Sequence, residues 1–472
     1  MQQKKLLGTL LVLLGLWAQL AAAEPRDAAF KASLSAERWQ ARPARWKPSR
    51  TSGGPQLDGP RINIHSIGKV IMVRSTVPKE RDGVRGVVVN DFVKLRPAGS
   101  PTPNQVSTRE AYETALRLAH DEFALARVTK GQLHCAAVEG VLASSSTDSR
   151  GAYRAAISKM ASSLGDTYTC YYEPKGWTQQ ERHRAGTGKG IGISMTSDTR
   201  GVQVSRITPG SPAEGQLRVG DQLLRIGATP VRSTTDVQRS IAGSDGQPLT
   251  LRLRRDGRVQ QITVQPREYR ERLVTTSRVG DGIGVVKLSR FARGAADDVR
   301  QAVEGLQQGG LRGLVLDLRG NRGGLTHEAH QILNLFIGSG DLFYFTRHDA
   351  IIKRHQADPT KAAFGGLPLA VLVDKDSASS SEIVAGTMQS RGRAKLVGST
   401  TFGKGIAQNN HDLPDGGGLQ LTSMRIGLAR PTAGQAVYYH GHGLRPDLPV
   451  APTSTGDAAL GRAAALLQSG AR

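Results

Sequence analysis

The period of the apolar positions changes several times along this chain. Between 61 and 95, the runs Val70-Ile71-Met72-Val73 and Val87-Val88-Val89 predict strands separated by Pro78 and charged turns. From 108 to 173 the spacing becomes helical: Tyr112, Leu116, Leu118 and Ala119 recur near helical intervals, as do Leu133, Ala137, Val138 and Val141. From about 186 to 267 short alternating strands return, as in Leu249-Thr250-Leu251-Arg252-Leu253, with one helix predicted over 233–241. Beyond Gly282 the two periods alternate. Strands are predicted over 283–288, 313–318, 367–373 and 395–398, and helices over 296–306, 326–336 and 382–388. In the second of these helices Ala329, Ile332, Leu333 and Phe336 fall at i, i+3, i+4 and i+7, which is one buried face. Strand and helix in alternation predict an α/β domain for this part of the chain.

The beginning of the chain is different in kind. Met1-Gln2-Gln3-Lys4-Lys5, an apolar run to about Leu20 and the small residues Ala21-Ala22-Ala23 predict a secretory leader over 1–23, with an exported, periplasmic or secreted product. The apolar run is short for a membrane span. Residues 24–60, punctuated by Pro43, Pro48, Pro55 and Pro60, read as a loosely docked basic extension that continues to 107 and includes a linker at 97–103. The expected domains are then a helical region over 108–185, a small mainly-β domain over 186–267, the α/β domain over 268–452 and a tail over 453–472.

The formal charge is +23. A balance of this size invites a nucleic-acid partner. Lys and Arg are spread along the whole chain, however, aromatics make up only 5 %, and no nucleic-acid motif is present. Peripheral contact with anionic envelope surfaces fits better, and no nucleic-acid partner is expected. The chain has two cysteines, Cys135 and Cys170. An oxidising compartment would permit a bond between them, but spacing alone does not decide it.

The candidate chemistry lies in the α/β part. Ser377-Ala378-Ser379-Ser380-Ser381-Glu382 follows a predicted strand and opens a predicted helix. Ser379 with Glu382 forms a Ser-x-x-Glu capping box, which also sets Ser379 at a helix N-terminus where free N–H groups could stabilise an oxyanion. In Thr401-Phe402-Gly403-Lys404-Gly405 a lysine stands between glycines, with Phe402 and Ile406 as expected apolar walls and Gln408 placed to orient the amine. A neutral Lys can serve as base to a Ser hydroxyl. Leu316-Asp317-Leu318-Arg319-Gly320-Asn321-Arg322-Gly323-Gly324 supplies a second turn that permits close backbone approach. The segment 398–404 matches the start of a phosphate-binding loop, but Gly405 occupies the position of the magnesium-binding Ser or Thr. His327 and His330 lack the zinc-protease pattern, and His440 and His442 form only a short pair, so no metal and no other cofactor is expected.

Taken together, these pieces resemble the carboxyl-terminal processing proteases, or tail-specific serine proteases. The likeness spans roughly 110–450. It takes in Leu164-Gly165-Asp166-Thr167-Tyr168-Thr169, the Asp317-Leu318-Arg319 turn, the serine-rich turn, 401–408, and Gly443-Leu444-Arg445-Pro446-Asp447. Gly190-Ile191-Gly192-Ile193, Ser211-Pro212-Ala213 and 217–224 resemble, in that order, a PDZ domain, whose glycine loop would hold a peptide carboxylate through Gly190, Ile191, Gly192 and Ile193. The resemblance implies a crotonase-like core of ββα units with an inserted PDZ domain and a helical N-terminal region. It assigns Ser379 as nucleophile, Lys404 as general base and Gln408 as its orienting partner, with Gly323, Gly324 and the Ser380 amide as the oxyanion hole. The implied partners are proteins or peptides bound by their C-termini, with an adaptor or a homo-oligomer as candidate regulators. Thr167 and Arg322 replace frequent prolines, and Ser380 stands where Ala is usual. Two rival readings are a non-enzymatic PDZ-based binding or scaffold protein and a charge-driven binder of envelope polymers.

Overall fold

The computed structural model describes residues 106–144, 149–199, 201–430, 436–451 and 456–470, together with the backbone of five strands that precede them. The expected leader at 1–23 and the linker at 97–103 lie outside the described residues. Arg61–Ile67, Val70–Arg81 and Val84–Leu95 form an antiparallel ladder, and Gln40–Ala41 and Arg45–Pro48 also pair with Val84–Leu95. Pro78 does not divide strands as expected, because Val70–Arg81 runs through it. It pairs with Val87 beyond the end of the Arg61–Ile67 ladder, where the strand has a single neighbour and a missing N–H is tolerated.

The chain forms two compact units: 1–177 with 347–349 and 408–424, and 178–346 with 350–407 and 425–472. In the first, helices Val106–Glu122, Lys130–Ala143 and Ser149–Ser163 bury Tyr112, Ala115, Ala119, Leu133, Ala137, Ile157 and Met160 in one core. Alanine and glycine at the helix contacts let the backbones approach closely. A Cβ on Gly140 would lie 2.4 Å from the Ala155 carbonyl oxygen. Strand Cys170–Tyr172 pairs antiparallel with residues 418–420, and Cys135 and Cys170 are free thiols.

The second unit holds two sheets relevant to the site. One is antiparallel, with Ile193–Asp198 at its edge, then Gly201–Ile207, Gln222–Ile226, Leu249–Arg255 and Arg258–Val264. Helix Thr234–Ala242 follows Ser233, which caps it through a reciprocal bond with Asp236. The other sheet runs in the order Val274–Val279, Ile283–Leu288, Gly313–Asp317, Leu369–Val373, Lys395–Gly398 and Leu448–Pro449, parallel after the first pair. Gly313–Asp317 and Leu369–Val373 are buried throughout, which explains their continuous apolar sequences. The stretch expected to be a tail instead contains helix Ala458–Gln468, whose Ala463 and Ala464 pack with Ile283, Val315, Ala370, Leu372 and Val397. Among the described residues no helix is long and apolar enough to cross a membrane.

A buried histidine makes the first unit acid-sensitive. His134 shares a 3.2 Å hydrogen bond with the Tyr112 hydroxyl, and burial lowers its pKa from 6.5 to about 4. Between those values the unfolded chain takes up a proton that the folded chain refuses. The associated stability is present above pH 6.5 and is lost as pH falls toward 4, by up to ~1.4 kcal/mol per pH unit. Urea unfolding followed by circular dichroism at several values between pH 7 and 4.5 should show this slope, and His134→Gln should flatten it.

Candidate active site

Three neighbouring parallel strands, Gly313–Asp317, Leu369–Val373 and Lys395–Gly398, end at the same edge of their sheet. Their following loops therefore converge, as is usual for ligand sites in parallel sheets. Asn321, fully buried in the first loop, joins it to its surroundings. Its side-chain amide donates to the Leu288 carbonyl (2.9 Å), its Oδ1 accepts the Gly323 N–H (2.9 Å), and its carbonyl accepts the Ala378 N–H (3.0 Å) and the Ser381 hydroxyl (2.7 Å). Asp374 begins the second loop and accepts the N–H groups of Gly320, Asp376 and Ser377 at 3.0 Å each.

The serine-rich turn resolves residue by residue. The Ser377 hydroxyl donates to the Leu318 carbonyl (2.9 Å), that of Ser380 to Gly324 (2.9 Å) and that of Ser381 to Asn321. Among the described residues, no carbonyl receives the Ser379 hydroxyl. Ser379 also carries the unusual backbone, with φ 57° and ψ −116°, far from the extended conformation of an ordinary N-cap. A non-glycine residue persists there only when its surroundings enforce it. The Ser380 hydroxyl, which occupies the usual Ala position, braces the Gly324 carbonyl.

Glu382 supplies much of that enforcement. Its Oε2 accepts the Ser379 N–H (2.8 Å) and the Lys404 N–H (2.8 Å), and its Oε1 accepts the Thr401 hydroxyl (2.5 Å) and the Gly403 N–H (2.7 Å). The capping box expected from the sequence contains only the first of these four bonds. Ser379 and Lys404 thus have their backbone nitrogens within two hydrogen-bond lengths of each other. Burial raises the Glu382 pKa, and the donors from Thr401, Gly403, Ser379 and Lys404 pull the other way. The Thr401 oxygen meanwhile accepts the Leu444 N–H (2.8 Å), so its own proton is directed at Glu382. Four donors and no acceptor suit the carboxylate.

Gly323 and Gly324 show why this turn excludes side chains. A Cβ on Gly323, at φ +92°, would lie 2.6 Å from the Ala378 carbonyl oxygen and 2.9 Å from the Ser380 nitrogen. One on Gly324 would lie 2.2 Å from the Phe291 carbonyl oxygen. Phe291 runs beside the turn, donating to the Gly323 carbonyl (3.0 Å) and accepting from the Leu325 N–H (2.7 Å). The Gly323 N–H is occupied by Asn321, whereas those of Gly324 and Ser380 have no acceptor among the described residues. Arg290, preceding Phe291, pairs with Glu271 at 2.6 Å and donates to the His183 carbonyl.

Gln408 lies in strand Ile406–Asp412, four residues after Lys404, and its amide donates to the Thr422 hydroxyl (3.0 Å). The Thr422 N–H donates to the Thr169 hydroxyl (3.0 Å), which in turn donates to Asp166 (2.7 Å). The Asp166–Thr169 part of the first motif therefore supports the Gln408 strand. Ile406 is buried, whereas Phe402 is 56 % exposed. Gly403 packs so closely on 441–443 that a Cβ there would meet the Gly443 nitrogen at 2.8 Å. Asp447 accepts from Leu396 N–H (2.8 Å) and Gln389 (3.0 Å), a structural role for the last motif.

In the antiparallel sheet, Gly190 (φ 120°) and Gly192 (φ 79°) turn the chain into edge strand Ile193–Asp198. The Ile191 and Gly192 carbonyls accept from Ala213 and Thr208 at 2.9 Å, while the Ile191 and Gly192 N–H groups have no acceptor among the described residues. Ile241 of helix Thr234–Ala242 lies beside Gly190. The loop thus combines unpaired donors, an open strand edge and an apolar helix residue. Sequence reasoning missed Asn321 and the full role of Glu382, although both sit inside motifs it singled out.

Comparison with known proteins gives the following likenesses. Residues 282–450 match the model of peptidase family S41, and residues 189–265 match that of the PDZ domain. A probable CtpA-like serine protease of Staphylococcus saprophyticus is 30 % identical over 299 residues, 62 % of this chain and 59 % of the relative. One of Staphylococcus aureus strain COL is 27 % identical over 315 residues, 64 % of this chain and 61 % of the relative. The chain thus spans about three fifths of the length of these relatives. Among solved structures, the photosystem II D1 C-terminal processing protease aligns over 73 % of this chain and 93 % of its own, with 25 % identity and a TM-score of 0.48.

Removing the carboxylate tests its organising role. Glu382→Ala would leave three N–H groups and one hydroxyl without an acceptor, a loss of at least about 3 kcal/mol. Urea unfolding should register that loss, and amide hydrogen exchange at Gly403 and Lys404 should accelerate. Unchanged values in both would contradict the role.

Proposed function

We propose, from the match of residues 282–450 to peptidase family S41 and of 189–265 to the PDZ domain, that this chain is an exported serine endopeptidase that recognises protein C-terminal tails. Export is supported by the leader pattern at 1–23, and tail recognition by the N–H groups of Ile191 and Gly192, which have no acceptor among the described residues, beside the edge strand Ile193–Asp198. The observation that carries the proteolytic reading is the convergence of the Ser379 and Lys404 N–H groups on one Glu382 oxygen, across 25 residues of sequence.

The chemistry follows an acyl-enzyme route. The neutral Lys404 amine takes the Ser379 hydroxyl proton as Oγ attacks the scissile carbonyl carbon. The N–H groups of Gly324 and Ser380 stabilise the oxyanion, and Gly323 contributes the space that permits close approach. The tetrahedral adduct collapses as Lys404 returns the proton to the leaving amine, and water, activated by the same amine, releases the second product. Gln408 is the residue that the family resemblance assigns to orient the base. Proteins or peptides held by their C-termini are the substrates, and an adaptor or a homo-oligomer would supply regulation.

The test uses the mature chain, a loosely folded protein with an apolar C-terminus, and mass spectrometry. Ser379→Ala and Lys404→Ala should each lower cleavage by roughly 10³-fold or more with the thermal midpoint retained. Amidating the substrate's C-terminus should weaken its cleavage. Tail binding without turnover by the unaltered chain, indifferent to Ser379, would favour a binding protein and overturn the reading.

A further inference from the structure

We propose that Phe402 is a specificity-determining residue: its exposed ring receives an apolar side chain of the substrate immediately beside the scissile bond. The inference rests on the proteolytic reading of Ser379 and Lys404, and it concerns which bond they cut.

The starting observation is a contrast in burial. The chain has seven described phenylalanines; Phe123, Phe291, Phe336, Phe343, Phe345 and Phe364 are at most 5 % exposed, whereas Phe402 is 56 % exposed. An isolated exposed apolar residue on a loose surface loop would mean little. This one sits on a tightly fixed backbone. Thr401 before it and Gly403 after it both donate to Glu382 Oε1, and its own N–H donates to the Ser377 carbonyl at 3.0 Å. Three consecutive residues are thus anchored, two to the carboxylate that organises the site and one to the turn that carries Ser379.

The backbone beside the ring is fixed as well. The Gly403 carbonyl accepts the Gly441 N–H at 2.8 Å, and the backbone of 441–443 lies against Gly403. With more than half of its surface exposed, the Phe402 side chain stands largely toward solvent, two residues before Lys404. A rigid aromatic on a fixed backbone loses little conformational freedom on binding, which suits it to act as a contact platform. A peptide whose carbonyl lies at Ser379 must pass close to the Ser377–Phe402 bond. An apolar side chain flanking that carbonyl can then cover the ring and remove both surfaces from water.

The experiment compares the full mature chain with its Phe402→Ala, Phe402→Leu and Ser379→Ala variants. Each is incubated with a mixture of unstructured peptides ending in the same apolar tail, and cleavage sites are mapped by mass spectrometry. Hydrolysis of p-nitrophenyl acetate is measured alongside. The unaltered chain should cut preferentially beside Leu, Ile or Phe. Phe402→Ala should lower kcat/KM for those bonds about 10-fold, change bonds flanked by Gly or Ser less than about 2-fold, and keep its ester hydrolysis and thermal midpoint. Phe402→Leu should recover most of the preference. An unchanged cleavage pattern in Phe402→Ala would overturn the inference, as would a uniform loss on peptides and ester alike, because that would mark a structural role. Retention of cleavage by Ser379→Ala would overturn the proteolytic reading instead, so the two failures are distinguishable.

Discussion

A single buried carboxylate holds the candidate site together. Glu382 accepts from three backbone N–H groups and one hydroxyl, drawn from the first residue of its own helix entry and from a loop about 20 residues later. An unpaired carboxylate in this position would be strongly unfavourable, because burial removes its hydration. The four donors replace that hydration, and in doing so they fix both the backbone of Ser379 and the path of 401–404. The same interaction explains how Ser379 can hold a φ of 57° without being glycine. Its N–H keeps a 2.8 Å bond to Glu382 in that conformation, so part of the strain is offset within one hydrogen-bond cluster.

The rest of the second unit supplies the conditions under which that cluster can form. Three adjacent parallel strands bring three loops to one edge, and Asn321 joins the first loop to the turn that holds Ser379. Close approach then depends on glycine. Gly323 touches the Ser379 turn, Gly324 touches Phe291, and Gly403 touches 441–443, each at a separation that a Cβ would violate. The Gly-Gly turn is also braced from its far side, where Arg290 ties the segment before Phe291 to Glu271 and His183. Tyr269, two residues before Glu271, packs against Gly188 and Gly192 beside the glycine loop of the antiparallel sheet. Continuous packing therefore joins the two glycine loops of this unit.

Polar residues in the first unit have a parallel role. Asp166 holds Thr169, Thr169 holds the Thr422 backbone, and the Thr422 hydroxyl receives the Gln408 amide. A motif that the sequence singled out ahead of the small mainly-β domain is thus part of the support for a side chain more than 200 positions away. Its polar groups are buried and mutually satisfied, the arrangement in which such networks specify one geometry rather than several.

The sequence by itself determined the elements and the residue types at the site. Apolar periodicity located several strands and helices of the α/β part close to their observed bounds, because one-sided burial imposes a period whatever the final packing, but it missed strands Val274–Val279, Asp341–Arg347 and Ala350–Gln356. Helix Thr326–Phe336 and strand Lys395–Gly398 have the predicted bounds. The serine turn, the glycine-flanked lysine and the Gly-Gly turn were legible because each breaks the local pattern. Strand bounds were less secure at Pro78, where the end of a neighbouring strand removed the usual objection to proline. Tertiary structure alone decided which of the turn's serine hydroxyls is left without a framework carbonyl, since Ser377, Ser380 and Ser381 are committed to carbonyls contributed by another loop. It also turned a capping glutamate into the centre of four bonds and left Phe402 more than half exposed. These outcomes depend on contacts between segments distant in sequence, and local propensity carries no record of which donor will reach which acceptor once the strands have paired.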